Sequence, residues 1–209
     1  MDDSLTYPVQ FSVDYPDRTL DWLTTLLRPI VALPILVVLG TVTGPAWGGW
    51  QENGSRVAAG SGGLLVLGPL LMLLFRRKYP RWWFDWNLEL MRFGNRVVAY
   101  LALMDDRYPS TEEPQAVQLD IPYPDAERDL SRWLPLVKWL LALPHYLILF
   151  VLSLAAVLAV IVAWFAILVL ARYPRTLFEF VEGVLRWHNR VVAYAFVLVT
   201  DRYPPFTLA

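Results

Sequence analysis

Along the chain, the hydrophobic pattern passes through three periods and then passes through them again. Val9, Phe11, Val13 and Tyr15 alternate with Gln10, Ser12 and Asp14, and Val117, Leu119, Ile121 and Tyr123 alternate with Gln118, Asp120 and Pro122. Period two with β-branched and aromatic residues predicts a half-buried strand in each place. Pro122 restricts the second to a sheet edge, and two lone strands are expected to pair with each other. Long apolar runs follow. Leu134–Ala171 is 38 residues interrupted only by Lys138, His145 and Ser153 as strongly polar positions. As one helix it would measure about 57 Å against a hydrocarbon core of about 30 Å. It is therefore expected to fold back near Leu152–Ser153. In the first half, Trp22–Val42 and Val57–Phe75 form the matching pair of spans around a Gly-rich outer loop, 44–63.

The third period is helical. Asp85, Glu89, Arg92 and Arg96 form one stripe, with Trp82, Trp83, Trp86, Leu90, Phe93 and Val97 facing elsewhere. Glu179, Glu182, Arg186 and Arg190 repeat the stripe against Phe178, Val181, Leu185 and Val192. Each predicts an amphipathic helix lying in a membrane interface. A further span there is disfavoured, because a buried Arg in lipid costs a few kcal/mol or more. Residues 95–104 and 189–200 leave two readings open. The helix continues through them, or Gly94-Asn95 and His188-Asn189 end it and a strand follows.

The recurrence is literal in places. Asn-Arg-Val-Val-Ala-Tyr stands at 95–100 and again at 189–194, and Asp-Arg-Tyr-Pro at 106–109 and 201–204. Ala32-Leu33-Pro34 matches Ala142-Leu143-Pro144 at an offset of 110, and Tyr79-Pro80-Arg81 matches Tyr173-Pro174-Arg175 at 94. The first half thus carries about sixteen extra residues, and the Gly-rich stretch is the insertion. The expected fold is an all-α integral membrane protein of two tandem parallel repeats, 1–110 and 111–209. Each repeat would hold a short strand, a transmembrane helical hairpin (four spans in total) and a cytoplasmic interfacial amphipathic helix. Placing the hairpin tips outside leaves Arg56 alone of the 18 Lys and Arg on the outer side. Both termini are then cytoplasmic, and the repeats are related by an axis along the membrane normal. Met1-Asp2-Asp3 and the lack of an early apolar core argue against a cleaved signal.

Composition agrees with a membrane location. The chain is 56% hydrophobic and 18% charged, with a mean hydropathy of +0.42. A net charge of −1 excludes a generally basic nucleic-acid binder, and no cysteine is present for disulfides or thiolate chemistry.

Candidate chemistry is sparse. Arg92 with Arg96, and Arg186 with Arg190, sit four apart on one face and point to lipid phosphates or an acidic partner; a solvated face with Glu89–Arg92 pairing is the alternative. Trp82, Trp83, Trp86 and Trp187 are candidate lipid or partner contacts. The seven Tyr-Pro pairs are expected to position the chain at the membrane surface. His145, after Pro144, is a proton carrier or metal ligand only if other donors meet it, and its counterpart in the first half is Ile35. Pro34 and Pro144 are expected to kink their helices. Catalytic motifs, metal ligand sets and carboxylates inside the predicted spans are absent from the sequence, so neither enzyme activity nor a cofactor is expected.

Arg-Tyr-Pro-Arg after an apolar run, Arg-Trp-x-x-Arg-Val-x-Ala-Tyr at 186–194 and Thr-Asp-Arg-Tyr-Pro-Pro-Phe at 200–206 resemble the bacterial membrane family catalogued as domain of unknown function 4389. The first half resembles it more loosely, with Met-Arg-Phe-Gly-Asn-Arg-Val-Val-Ala-Tyr and Tyr-Pro-Ser in the corresponding places. The resemblance implies two tandem copies in the bacterial inner membrane and carries no activity. The expected role is a non-catalytic, multi-pass accessory or scaffolding subunit of a membrane complex, in contact with lipids and with other membrane subunits or itself. The alternatives are a transporter, channel or lipid-handling protein working as an oligomer, and a membrane enzyme using Arg and His on a lipid.

Overall fold

The two alternating segments pair with each other. In a computed structural model, which describes residues 7–16, 22–43 and 61–209, β1 (Gln10–Val13) runs antiparallel to β2 (Val117–Asp120), with Phe11 opposite Leu119 and Val13 opposite Val117. Those four side chains are buried, and Gln10, Gln118 and Asp120 are exposed. A two-stranded sheet is marginal by itself, and helices complete this one. β1 packs on α7 (Arg175–Val192) and β2 on α4 (Arg81–Leu101).

Part of each helical stripe faces the sheet, while Asp85, Glu89 and Glu179 stay exposed. Asp14 N–H donates to Ala116 O at 3.0 Å, making that pair a hydrogen-bonded one. Register then leaves Phe11 and Leu119 with carbonyls pointing outward from the ladder. Arg186 Nε donates to Phe11 O and Arg92 Nε to Leu119 O, both at 2.9 Å. Glu182 accepts from Val13 N–H at 3.3 Å and holds Arg186 at 2.6 Å. Arg92, Glu182 and Arg186 thus satisfy open backbone groups of the sheet.

Above α7 lies α6 (Leu143–Leu170), a single helix of 28 residues. This corrects the expected fold-back at Leu152–Ser153, where neither Gly nor Pro is present to stop the helix. It also corrects the four-span fold. Among the described residues only α6 is long and apolar enough to cross a membrane. α1 (Trp22–Val31) and α2 (Leu33–Thr43) are separate pieces, and α3 (Ser61–Arg76) has 16 residues. The run read as a first span is divided at Ala32, because Pro34 has no N–H for the carbonyl four residues earlier. Pro144 does the same at Ala142, between α5 (Lys138–Leu141) and α6. The hairpin layout and the orientation built on it fall with the four spans. The loop at 44–63 lies outside the described residues as far as 60, and its last three residues open α3; the N-terminal acidic residues also lie outside them.

The open question at 95–104 and 189–200 resolves as helix. α4 runs to Leu101, and α7 passes into a π-helical turn, Ala193–Val197. The main core mixes both halves: Phe11, Val13, Tyr79, Phe84 and Met104 pack with Val117, Leu119, Ile167, Tyr173, Phe178 and Leu198.

Matched positions make matched contacts. The four non-glycine residues with positive φ among those described are Arg77 (50°), Leu103 (65°), Ala171 (54°) and Leu198 (63°), two equivalent pairs at offsets of 94 and 95. Tyr15 donates its hydroxyl to Tyr173 O, and Tyr123 donates to Tyr79 O. Asn95 and Asn189 exchange side-chain amide hydrogen bonds at 2.7 Å where α4 meets α7. The offset grows by one between Tyr100 and Asp106, and the extra residue is absorbed by the π turn. Met104 N–H reaches back five residues to Ala99 O; Val199 N–H reaches six, to Ala193 O.

Candidate functional site

Two buried cations end this fold's ambiguous helices. Arg28, on α1, donates to Tyr100 O at 2.8 Å, to Asp105 O at 3.0 Å and to the Asp106 carboxylate, with its guanidinium 4.6 Å from the Tyr100 ring centroid. Lys138, at the start of α5, pairs with Asp201 at 2.7 Å, donates to Thr200 O at 2.6 Å and lies 5.2 Å from the Tyr194 ring centroid. Both cations are essentially inaccessible. Burial pushes the Lys138 ammonium down from its usual value, and the bond and charge of Asp201 oppose that shift. Asp106 and Asp201 are the Asp of the two Asp-Arg-Tyr-Pro motifs, so these motifs act first as anchors for buried charge. Sequence reading missed the pair. Arg28 and Lys138 stand 110 apart, each four residues before its Ala-Leu-Pro, and a cation kept in that register inside an apolar run was the signal.

The arginines predicted to meet lipid phosphate divide by contact. Arg92 and Arg186 hold the sheet edges; Arg96 donates to Ser110 O at 2.7 Å; Arg190 is 2% exposed, beside the Tyr7 ring. The Glu89–Arg92 pair is present at 2.6 Å. Of the tryptophans, Trp82 and Trp86 are exposed, and Trp83 is half-buried with its indole over Gly68. Trp187 is buried and donates from Nε1 to His145 Nδ1 at 3.0 Å. This fixes the His145 proton on Nε2. Phe206 stacks on the imidazole at 4.1 Å and Tyr203 lies at 4.8 Å, so the C-terminal segment covers it. That segment is held by Arg186, which donates to Leu208 O at 2.9 Å, and by close approach to Gly183, where a Cβ would lie 2.9 Å from Leu208.

Beneath α6 is an apolar cavity of about 420 Å³ between α4, α6 and α7, with Ser153 and His188 as the polar residues on its wall. A second, of about 270 Å³, shares Leu101, Val160 and Ile161 with it and ends at Thr25, Arg28 and Trp164. His188 has exposed surface, but it belongs to this cavity wall, and burial holds its imidazole below the usual histidine value. Among the described residues no three His, Cys, Asp or Glu gather as a metal site.

No curated protein and no solved structure matches the chain. Residues 132–207, the second half from the approach to α5 through the C-terminal aromatic segment, match the family model described as Domain of unknown function (DUF4389); of the two copies expected, this is the one the match covers.

Proposed function

We propose that this chain is a membrane-embedded accessory or scaffolding protein without catalysis of its own. The observation that carries the reading is α6. Its best 18-residue window has a mean hydropathy of 3.0 and is only 17% buried inside the molecule. Leu147, Phe150, Val151, Leu154, Val157, Leu158, Phe165 and Val169 are exposed large apolar groups on one helix. Leaving such side chains in water costs about 1.5–3 kcal/mol each relative to burial. α6 packs on α7 and α7 on β1, while the far face of the sheet carries the exposed polar residues Gln10, Gln118 and Asp120. The cations Arg172 and Arg175 after α6 favour a cytoplasmic location for that end in a bacterial inner membrane. Exposed Trp82 and Trp86 fit an interface depth or a partner helix. The first half reads as a diverged second copy of the family unit, on the strength of the matched contacts.

Carbonate washing of membranes tests the location: the chain stays in the pellet, and Leu154→Lys with Leu158→Lys releases it. A wild-type chain that is monodisperse in buffer without detergent defeats the proposal. Cross-linking from positions 82 and 86 in intact membranes tests the scaffold role; labelling of lipid alone counts against a protein partner.

The apolar cavities under α6 favour one alternative, lipid handling, over an ion or solute pathway. Their walls offer an acyl chain many contacts and offer an ion almost none. Acyl lipid retained through detergent exchange, and lost when Ala156→Trp fills the cavity, is the outcome expected of that reading.

A further inference from the structure

A different cavity, of about 590 Å³, opens at the end of α3. One wall is Met72, Arg76, Arg77 and Lys78, and the facing wall is the turn at 123–127 after β2. Arg76, Arg77 and Lys78 are exposed, and no ion pair engages them among the described residues. The two carboxylates opposite differ. Asp125 accepts from Glu127 N–H at 3.0 Å and pairs with Arg128 at 3.8 Å. The Glu127 carboxylate has no such partner among the described residues.

The walls are fixed in place. Tyr123 donates to Tyr79 O, its ring meets Phe84 edge-on at 5.3 Å, and Tyr79 donates to Val197 O at 2.7 Å. The Arg81 guanidinium lies 5.5 Å from the Tyr123 ring centroid on the same turn. Arg77 holds φ at 50°, a left-handed conformation that non-glycine residues rarely adopt, and the chain leaves α3 abruptly there. At the equivalent end of α6 the residues are Leu170, Ala171 and Arg172, so the triple cation belongs to the first half alone.

We propose that this cavity binds the headgroup of a zwitterionic phospholipid carrying a phosphate and a primary ammonium. Resting on the membrane reading above, the proposal names which lipid is held and where. Arg76, Arg77 and Lys78 meet the phosphate as charge-assisted donors. Glu127 accepts from the ammonium, and Met72 borders the acyl chains as they turn toward the exposed apolar surface of α3 at Leu71 and Phe75. A pocket with cations on one wall and an unengaged carboxylate on the other matches a zwitterion. A lone anion leaves Glu127 opposed to it.

The test uses the full chain in a neutral detergent and short-chain phosphatidylethanolamine below its micelle concentration, with short-chain phosphatidylglycerol and phosphatidylcholine as comparators. Binding is read by calorimetry. Phosphatidylethanolamine is expected to bind about tenfold more tightly than either, the scale of one charge-assisted hydrogen bond. Arg76→Gln with Lys78→Gln weakens it by a similar factor, and Glu127→Gln removes the preference over phosphatidylcholine while leaving phosphate binding. All three positions are exposed, so thermal unfolding of the variants should match wild type. Equal or tighter binding of phosphatidylglycerol, no measurable binding, or variants that bind as wild type overturns the proposal. Carbonate washing of the same variants keeps the two readings apart: a chain that stays in membranes yet shows no headgroup preference sinks the pocket and spares the membrane location.

Discussion

Arg28 and Lys138 occupy matching positions and fasten matching aspartates, yet they do so with different chemistry. The first-half lock is a planar fork that reaches two carbonyls and a carboxylate across a tight helix end. The second is a compact ammonium with one carboxylate and one carbonyl, set against a helix end that is one residue wider. Where the closing turn is tight, three acceptors converge and a guanidinium suits them. Where the π turn adds a residue, fewer acceptors converge and lysine is enough. The wide turn also presents Val197 O, which Tyr79 takes up; the equivalent hydroxyl of Tyr173 is buried without a hydrogen-bond partner in the structure.

The comparison is broken most severely by removing one charge. Lys138→Met leaves Asp201 facing the protein interior and is expected to lower unfolding free energy by about 3–5 kcal/mol. Denaturation in detergent measures this, and a loss below about 1 kcal/mol shows that Asp201 is solvated instead. Arg28→Lys keeps the charge and sacrifices the fork, so its cost is smaller, up to about 3 kcal/mol. Equal costs for Arg28→Lys and Arg28→Met show that the fork's reach, and not its charge, matters.

Asn95→Leu is expected to cost about 1–2 kcal/mol by leaving Asn189 Oδ1 without its donor, while Asn189 Nδ2 keeps its bond to Leu185 O. The double replacement with Asn189→Leu is expected to cost less than the sum of the single changes, because each single change already breaks the mutual pair. Deleting Phe196 converts the wide turn into the tight one. Its expected cost is about 1 kcal/mol, the lost Tyr79–Val197 hydrogen bond. A much larger cost identifies the extra residue as structurally necessary.

The smallest effect is one of pH. Burial holds the folded-state pKa of His188 below its unfolded value of 6.5, so the unfolded chain takes up the proton first as pH falls. Stability contributed by the neutral imidazole is present above pH 6.5 and declines below it, down to the lower folded-state value. His188→Asn should flatten that slope relative to wild type in parallel melts at pH 7 and pH 5.

Much of this was legible in one dimension. The alternation at 9–15 and 117–123 located both strands and their pairing, because period two leaves one face to bury against a partner. The Glu and Arg stripe located α4 and α7. What the stripe faced was not legible: an outward carbonyl at Phe11 or Leu119 leaves no mark in the sequence, so arginines that finish a sheet look the same as arginines awaiting phosphate. Hydropathy misled the count of spans. It registers apolar length, and Trp22–Val42 has that length, but Thr25, Arg28 and Ala32 turn one side of the run into the protein while Pro34 divides it. In α6 the same apolar character continues unbroken because Leu152 and Ser153 offer the helix no reason to end.

Tyr15 and Tyr123 each hand a hydroxyl to the opposite half, and the strands and asparagines do likewise. Cutting the connection at residues 110–115 would sever none of these exchanges, so a nicked molecule should remain one particle. Made separately, either fragment would be left with an open sheet edge and without the asparagine partner that the other supplies.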